Sequence, residues 1–237
     1  MVSADPSKKL ASLLKKLRST YGETSVDPAL EGCPPEADRL LWQLVFSFLA
    51  WESSTSRAVP VTKRLHQGVV DYNELRVCLN DELVSMIGDR YPRALERATR
   101  LRSALNDLYR REHAVSLNRV VEMPKREARA YLDSLDGMPA FVSSRMLLLA
   151  LGGHAFPLDS RIHQALVSED AAPADFDEAA AWLERQFRVG EAAPAYLLVE
   201  AWMNDRPVPK APARPRRPAA KAPAPKTPPR TKKASKS

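Results

Sequence analysis

Few residues of this chain have both the type and the spacing to do chemistry, and Asp159 is foremost among them. It closes the stretch LDGMPAFVSSRMLLLALGGHAFPLD, Leu135 to Asp159, where a helix is expected to begin. A carboxylate placed there has two uses. It accepts the free N–H groups of the helix as an N-cap, or it faces a cavity and stabilises positive charge that develops as a bond breaks. Arg161, two residues on, is a partner for Asp159, a contact for phosphate, or an exposed side chain. Other chemistries lack their residues. The four histidines (66, 113, 154 and 163) and the two cysteines (33 and 78) show neither i, i+4 nor C-x-x-C spacing, so no metal site is expected. A phosphate-cradling glycine loop and a G-x-S-x-G elbow are both absent.

The elements that would position Asp159 read as helices. Leu135-Asp136-Gly137-Met138-Pro139 is a tight turn: Gly137 tolerates positive φ, and Pro139 has the fixed φ of a first helical position. Phe141 to Leu151 is apolar apart from two serines and Arg145, as in a helix surrounded by others. Gly152-Gly153 ends it, and Pro157-Leu158-Asp159-Ser160 opens the next helix with Asp or Ser as its cap.

The remaining chain follows the same periodicity. Leu10, Leu13, Leu14 and Leu17 form an amphipathic first helix, and Leu40 to Leu49 a buried one ending near Trp51. Glu52 to Ser56 breaks that helix and caps another reaching about His66; short helices follow around Tyr72–Val77 and Asp81–Ile87. A long helix from Pro92 carries Leu95, Ala98, Leu101, Leu105 and Leu108 as its stripe, with Arg93, Arg97, Arg100, Arg102, Arg110 and Arg111 pointing outward. Helices from Pro124 to Leu132, over Ile162–Val167, from the Asp175 cap with Glu178 at the reciprocal position, and from about Glu191 to Met203 complete the body. No alternating strand or internal repeat interrupts them. The body, 1–206, is all-α.

Charge divides the chain sharply. Ten of the 36 Lys and Arg residues, nine of the 20 prolines and no acid lie in 207–237, which leaves 26 bases against 29 acids in 1–206. The tail has too little apolar surface to fold and is expected to be disordered and extended. Its cations, including Lys221, Lys226, Arg230, Lys232 and Lys233, suit the phosphate backbone of DNA. A solubilising or localising tail is the plainer alternative. No apolar run nears the roughly 20 residues that span a bilayer, and the first residues lack a secretory core. A protein that is not secreted, contacts no membrane and lies in the cytoplasm or nucleoid (the nucleus in a eukaryote) is expected.

The stretch from Leu135 resembles the helix-hairpin-helix DNA glycosylases related to endonuclease III. Their signature is a hairpin L-P-G-V-G, a buried helix, then V-D at the start of another helix. Here it stands as Leu135-Asp136-Gly137-Met138-Pro139 and Leu158-Asp159, at the family's spacing. Leu49-Ala50-Trp51-Glu52-Ser53-Ser54-Thr55 sits where members carry L-S-x-Q-x-x-D. Ile87-Gly88 with Tyr91-Pro92-Arg93-Ala94 resembles their I-G-x-Y-x-x-K-A segment, and the likeness covers most of 10–203.

The resemblance implies two helical lobes with a cleft between them: a central lobe of about 36–150, and a second built from the first helix and about 155–204. It implies a monomer whose hairpin N–H groups, at Gly137, Met138 and Ala140, and whose Arg161 contact DNA, with a nucleotide flipped into the cleft. Asp159 would stabilise an oxocarbenium-like transition state, while Glu52 and Phe141 would shape the base pocket. The departures are as specific as the match. Phe141 stands where bifunctional members have the Schiff-base lysine, so a monofunctional N-glycosylase is implied. Pro139 offers no N–H, and Asp136 puts negative charge where phosphate would lie. The basic tail replaces the four cysteines of the family's iron–sulfur cluster, so no cofactor is expected. A relative that binds DNA without catalysis is the competing reading, and a helical interaction protein with no nucleic-acid role the third.

Overall fold

Asp5 caps the first helix, α1 (Pro6–Tyr21), by accepting Ser7 N–H, and the spacing of Leu10, Leu13 and Leu17 buries one face of it. The computed structural model describes residues 5–23 and 26–208, and these are helical without any strand. The expected disorder of 207–237 falls almost wholly outside them, as do Lys221, Lys226, Arg230, Lys232 and Lys233. Asp38 caps α2 (Arg39–Ala50) through the N–H groups of Leu40 and Leu41. Helix α2 is buried almost all round because it packs on α3 (Thr55–Gln67), α6 (Ala94–Glu112) and α9 (Ala140–Arg145). Short helices α4 (Tyr72–Val77) and α5 (Asn80–Ile87) lie against α6, while α7 (Asn118–Glu122) and α8 (Lys125–Asp133) lead back to α9. The chain ends in α10 (Ser160–Ser168), α11 (Phe176–Gln186) and α12 (Ala192–Asn204), which packs on α1. Leu101, Leu105 and Leu108 of α6 are fully buried, each contributing roughly 2 kcal/mol over an exposed position. No described helix is long and apolar enough to cross a membrane.

Three local expectations are corrected. Helix α6 begins at Ala94 rather than Pro92, because Arg93 adopts a left-handed conformation (φ 53°) that a helix cannot contain. Neighbours α4, α5 and α2 then surround α6 on more than one side, so Arg97 is wholly buried instead of outward and Leu95 is exposed. Ser54 makes no side-chain cap on α3. Asn204 of α12 does so from a distance: its Oδ1 accepts Ser56 N–H (3.1 Å) and the Thr55 hydroxyl (2.9 Å).

The run after Phe141 is one continuous helix of two pitches. Leu151 N–H bonds the carbonyl of Met146, five residues back, so α9 passes into a π turn over Met146–Ala150. Gly152 then takes φ 63° and ends it, as the sequence required.

Candidate active site

Asp159 is both the cap and the cleft residue. Its Oδ1 accepts Ile162 N–H (2.8 Å), capping α10, and its Oδ2 accepts Glu52 N–H (2.7 Å) from the loop after α2. Glu52 can donate there because it sits in the left-handed region (φ 51°), an uncommon conformation for a residue with a side chain. The Glu52 carboxylate returns the contact: Oε1 accepts Ser160 N–H (3.0 Å) and the Ser160 hydroxyl. Two chain segments 107 residues apart are thus clasped by reciprocal acid-to-amide bonds. Asp159 is only 3% exposed. Burial, then the neighbouring Glu52 carboxylate, push its pKa from 3.8 up to about 6 against the two N–H bonds and Arg161. That is roughly 3 kcal/mol in favour of the protonated form. The group nevertheless remains mostly ionised at neutral pH.

Asp159 faces a cleft of about 330 Å³ lined by Trp51, Glu52, Arg100, Met138, Pro139, Ala140, Phe141, Leu158, Ser160 and Phe176. The structure therefore brings Asp159, Glu52, Phe141, Met138 and Ala140 to one place. Trp51, Arg100 and Phe176 join them without having been singled out by motif. Phe176 had a signal: it is a large aromatic at the first position of a capped helix, and it is 39% exposed. His163 holds it edge-on at 5.3 Å. Arg161, expected as a partner of Asp159, on phosphate or at the surface, is buried under the end of α12, where its guanidinium reaches the Met203 carbonyl at 3.4 Å and interacts with Asp159 only through its charge.

The hairpin is built on α6. Gly137 has φ 77°, and a Cβ on it would lie 2.9 Å from the Arg100 carbonyl oxygen, so glycine is required for conformation and for approach. Asp107, buried on α6, accepts Asp136 N–H (3.0 Å), and Arg110 pairs with the Asp136 carboxylate (2.5 Å). Asp107 was missed because Arg110 and Arg111 stand at i+3 and i+4, the pattern of an ordinary helix-surface pair. Of the expected hairpin donors, Met138 N–H is engaged by the Leu135 carbonyl, while those of Gly137 and Ala140 make no hydrogen bond among the described residues.

Behind the cleft wall lie two buried arginines. Arg145 pairs with Asp27 (2.6 Å) and Glu200 (2.8 Å), with Tyr196 donating to Glu200. Arg97 stands behind Trp51 and donates only to the carbonyls of Pro92 and Phe48. Among the described residues no group of His, Cys, Asp and Glu has the arrangement of a metal site. Two cysteines cannot supply the four thiolates of an iron–sulfur cluster, so the donor set does not fit one.

This architecture has close counterparts among solved structures. It superimposes on an endonuclease III–DNA covalent intermediate, an estranged-adenine complex, with a TM-score of 0.62 and 14% identity, over 83% of this chain and 85% of that one. A thermostable thymine-DNA glycosylase aligns with a TM-score of 0.57 at 13% identity, over 84% and 87% of the two chains. The Clostridium acetobutylicum 8-oxoguanine glycosylase/lyase bound to duplex DNA containing cytosine opposite 8-oxoG aligns at 0.57 and 17% identity, over 85% and 70%. No family model matches the sequence, and no curated protein does. The superpositions establish the class of fold: this chain has the helix-hairpin-helix glycosylase fold, divergent in sequence.

Proposed function

We propose that the protein is a DNA N-glycosylase that hydrolyses the bond between a damaged or mismatched base and its deoxyribose. One observation carries this reading: a buried, ionisable carboxylate, Asp159, opens onto an aromatic-lined cleft in a fold shared with endonuclease III. In the proposed reaction the C1′–N bond breaks, the departing base takes up a proton, and Asp159 stabilises the cationic sugar until water adds at C1′. The low-polarity surroundings that raise the Asp159 pKa also strengthen its attraction for that cation. Phe141 and Met138 shape the pocket; Glu52 fixes Asp159 through its backbone and carries a second carboxylate at the pocket wall. The unengaged N–H groups of Gly137 and Ala140 are the hairpin donors to DNA phosphate, and the basic tail adds affinity. Phe141 has no amine, so the activity is monofunctional, and no iron–sulfur cluster is needed.

Asp136 supports a second reading, a DNA-binding relative without catalysis. Its carboxylate lies on the hairpin, is largely exposed and repels phosphate even when paired with Arg110. One experiment separates the two. Duplex oligonucleotides carrying a panel of damaged and mismatched bases are incubated with the protein, and abasic sites are scored. Release that disappears with Asp159→Asn supports hydrolysis through this residue, and release that survives removes Asp159 from the mechanism. Binding without release from any substrate selects the second reading. Borohydride trapping is expected to give no covalent adduct, and a trapped adduct would overturn the monofunctional assignment.

A further inference from the structure

Trp51, on the cleft wall, is surrounded by three guanidinium groups. The Cζ atoms of Arg93, Arg100 and Arg97 lie 4.6, 5.4 and 5.7 Å from its ring. Cation–π contacts at such distances hold planar guanidinium groups against an indole. Glu96 fixes the two outer arginines further. Its Oε2 takes Arg93 Nε (2.7 Å) and its Oε1 takes Arg100 Nε (3.0 Å), one oxygen to each.

Both Nε edges are therefore committed, and the terminal nitrogens are mostly spare. Arg100 Nη1 reaches only the Gly137 carbonyl, at 3.4 Å, and Arg93 Nη1 lies 3.8 Å from Glu52. The Nη2 groups of both make no hydrogen bond among the described residues. The side chains are 44% and 40% exposed, so the free ends meet solvent. Arg97, buried behind the ring without a carboxylate partner, adds positive potential from the protein side. Arg93 keeps its place through a left-handed backbone (φ 53°), as does Glu52 of the cleft lining.

We infer that Arg93 and Arg100 form a phosphodiester-binding clamp at the mouth of the cleft, each taking one of two adjacent phosphates of the strand whose nucleotide enters it. Guanidinium groups suit phosphate because their paired N–H donors match its oxygens. The clamp takes over part of the grip that Asp136 and Pro139 weaken at the hairpin. This inference rests on the proposed DNA-binding reading.

The test uses full-length protein and a fluorescent duplex with a tetrahydrofuran abasic analogue, titrated by anisotropy between 50 and 200 mM KCl. Removing two phosphate contacts with Arg93→Gln/Arg100→Gln is expected to flatten the log K against log salt slope by about 1.8, at about 0.9 per contact. Arg93→Lys/Arg100→Lys should keep the slope while weakening binding several-fold. Wild-type binding with an unaltered slope in the double Gln variant overturns the clamp and leaves the function standing. Failure of the wild type to bind any duplex overturns both. If thermal melting shows the double Gln variant unfolded, the single variants are read instead, each expected to flatten the slope by about 0.9; unaltered slopes in both overturn the clamp.

Discussion

The protein handles buried charge in opposite ways in two regions near its cleft. Around Arg145 the charge is neutralised: Asp27 and Glu200 bond the guanidinium, and although burial lowers its pKa, the two carboxylates more than offset that and the net direction is up. Asp159 at the cleft and Arg97 behind its Trp51 wall are both buried, and neither has an ion-pair partner among the described residues. Burial brings the arginine down to about 10 and the aspartate up to about 6, each towards its neutral form. Paired charge fixes the core, whereas unpaired charge is kept in a less stable condition beside a cavity, the condition expected of a working group.

The contrast is open to direct attack, and the largest effect should come from the paired side. Arg145→Met leaves two carboxylates buried without their cation and should cost about 3–5 kcal/mol in urea unfolding. Adding Asp27→Asn and Glu200→Gln should recover much of the loss. A loss below about 1 kcal/mol for Arg145→Met would show that the cluster is not what holds α2, α9 and α12 together.

Next in size is the pH dependence of the unpaired side. The folded chain holds the Asp159 proton more tightly than the unfolded chain. Its stability contribution is therefore fully present below about pH 4 and lost as pH rises through about 6, by roughly 3 kcal/mol. Asp159→Asn should flatten that part of the stability profile. Base release should run the other way, rising through about pH 6 as the carboxylate ionises. A stability profile identical in wild type and variant would refute the unpaired assignment.

Arg97→Met removes a cation that lacks a carboxylate and leaves two carbonyls without donors. About 1–2 kcal/mol is expected, clearly less than for Arg145→Met. An equal loss would erase the distinction between the arginines. The smallest effect belongs to Glu96→Gln, which releases two half-exposed ion pairs and should shift stability by no more than about 0.5–1 kcal/mol.

Sequence reading reached the helices and Asp159 for one reason: both are local. Periodicity locates a helix from its own residues, and the hairpin-to-aspartate spacing lies within a single stretch. The buried arginines were not legible because their surroundings come from elsewhere. Arg145 looked like an interruption in an apolar run, yet its partners are 118 residues before it in a loop and 55 after it in α12. Arg97 matched the other arginines of a solvated face until α2 and α5 closed over α6. Glu52 was found by its place in a motif, but its left-handed backbone, which aims the N–H at Asp159, follows from the loop's closure onto α10.

The π turn over Met146–Ala150 makes chain length, more than side-chain identity, the sensitive property of that segment. It holds one residue more than α geometry would accommodate. Exchanges among Leu and Met leave that surplus intact. Deleting one of the five would restore α pitch and leave the exit direction nearly as it is, whereas adding a further residue, with no second π turn to absorb it, would swing that exit by about 100°. Phe141 would stay on α9 while Asp159 left the cleft, so a one-residue insertion between them would part the pocket from its acid.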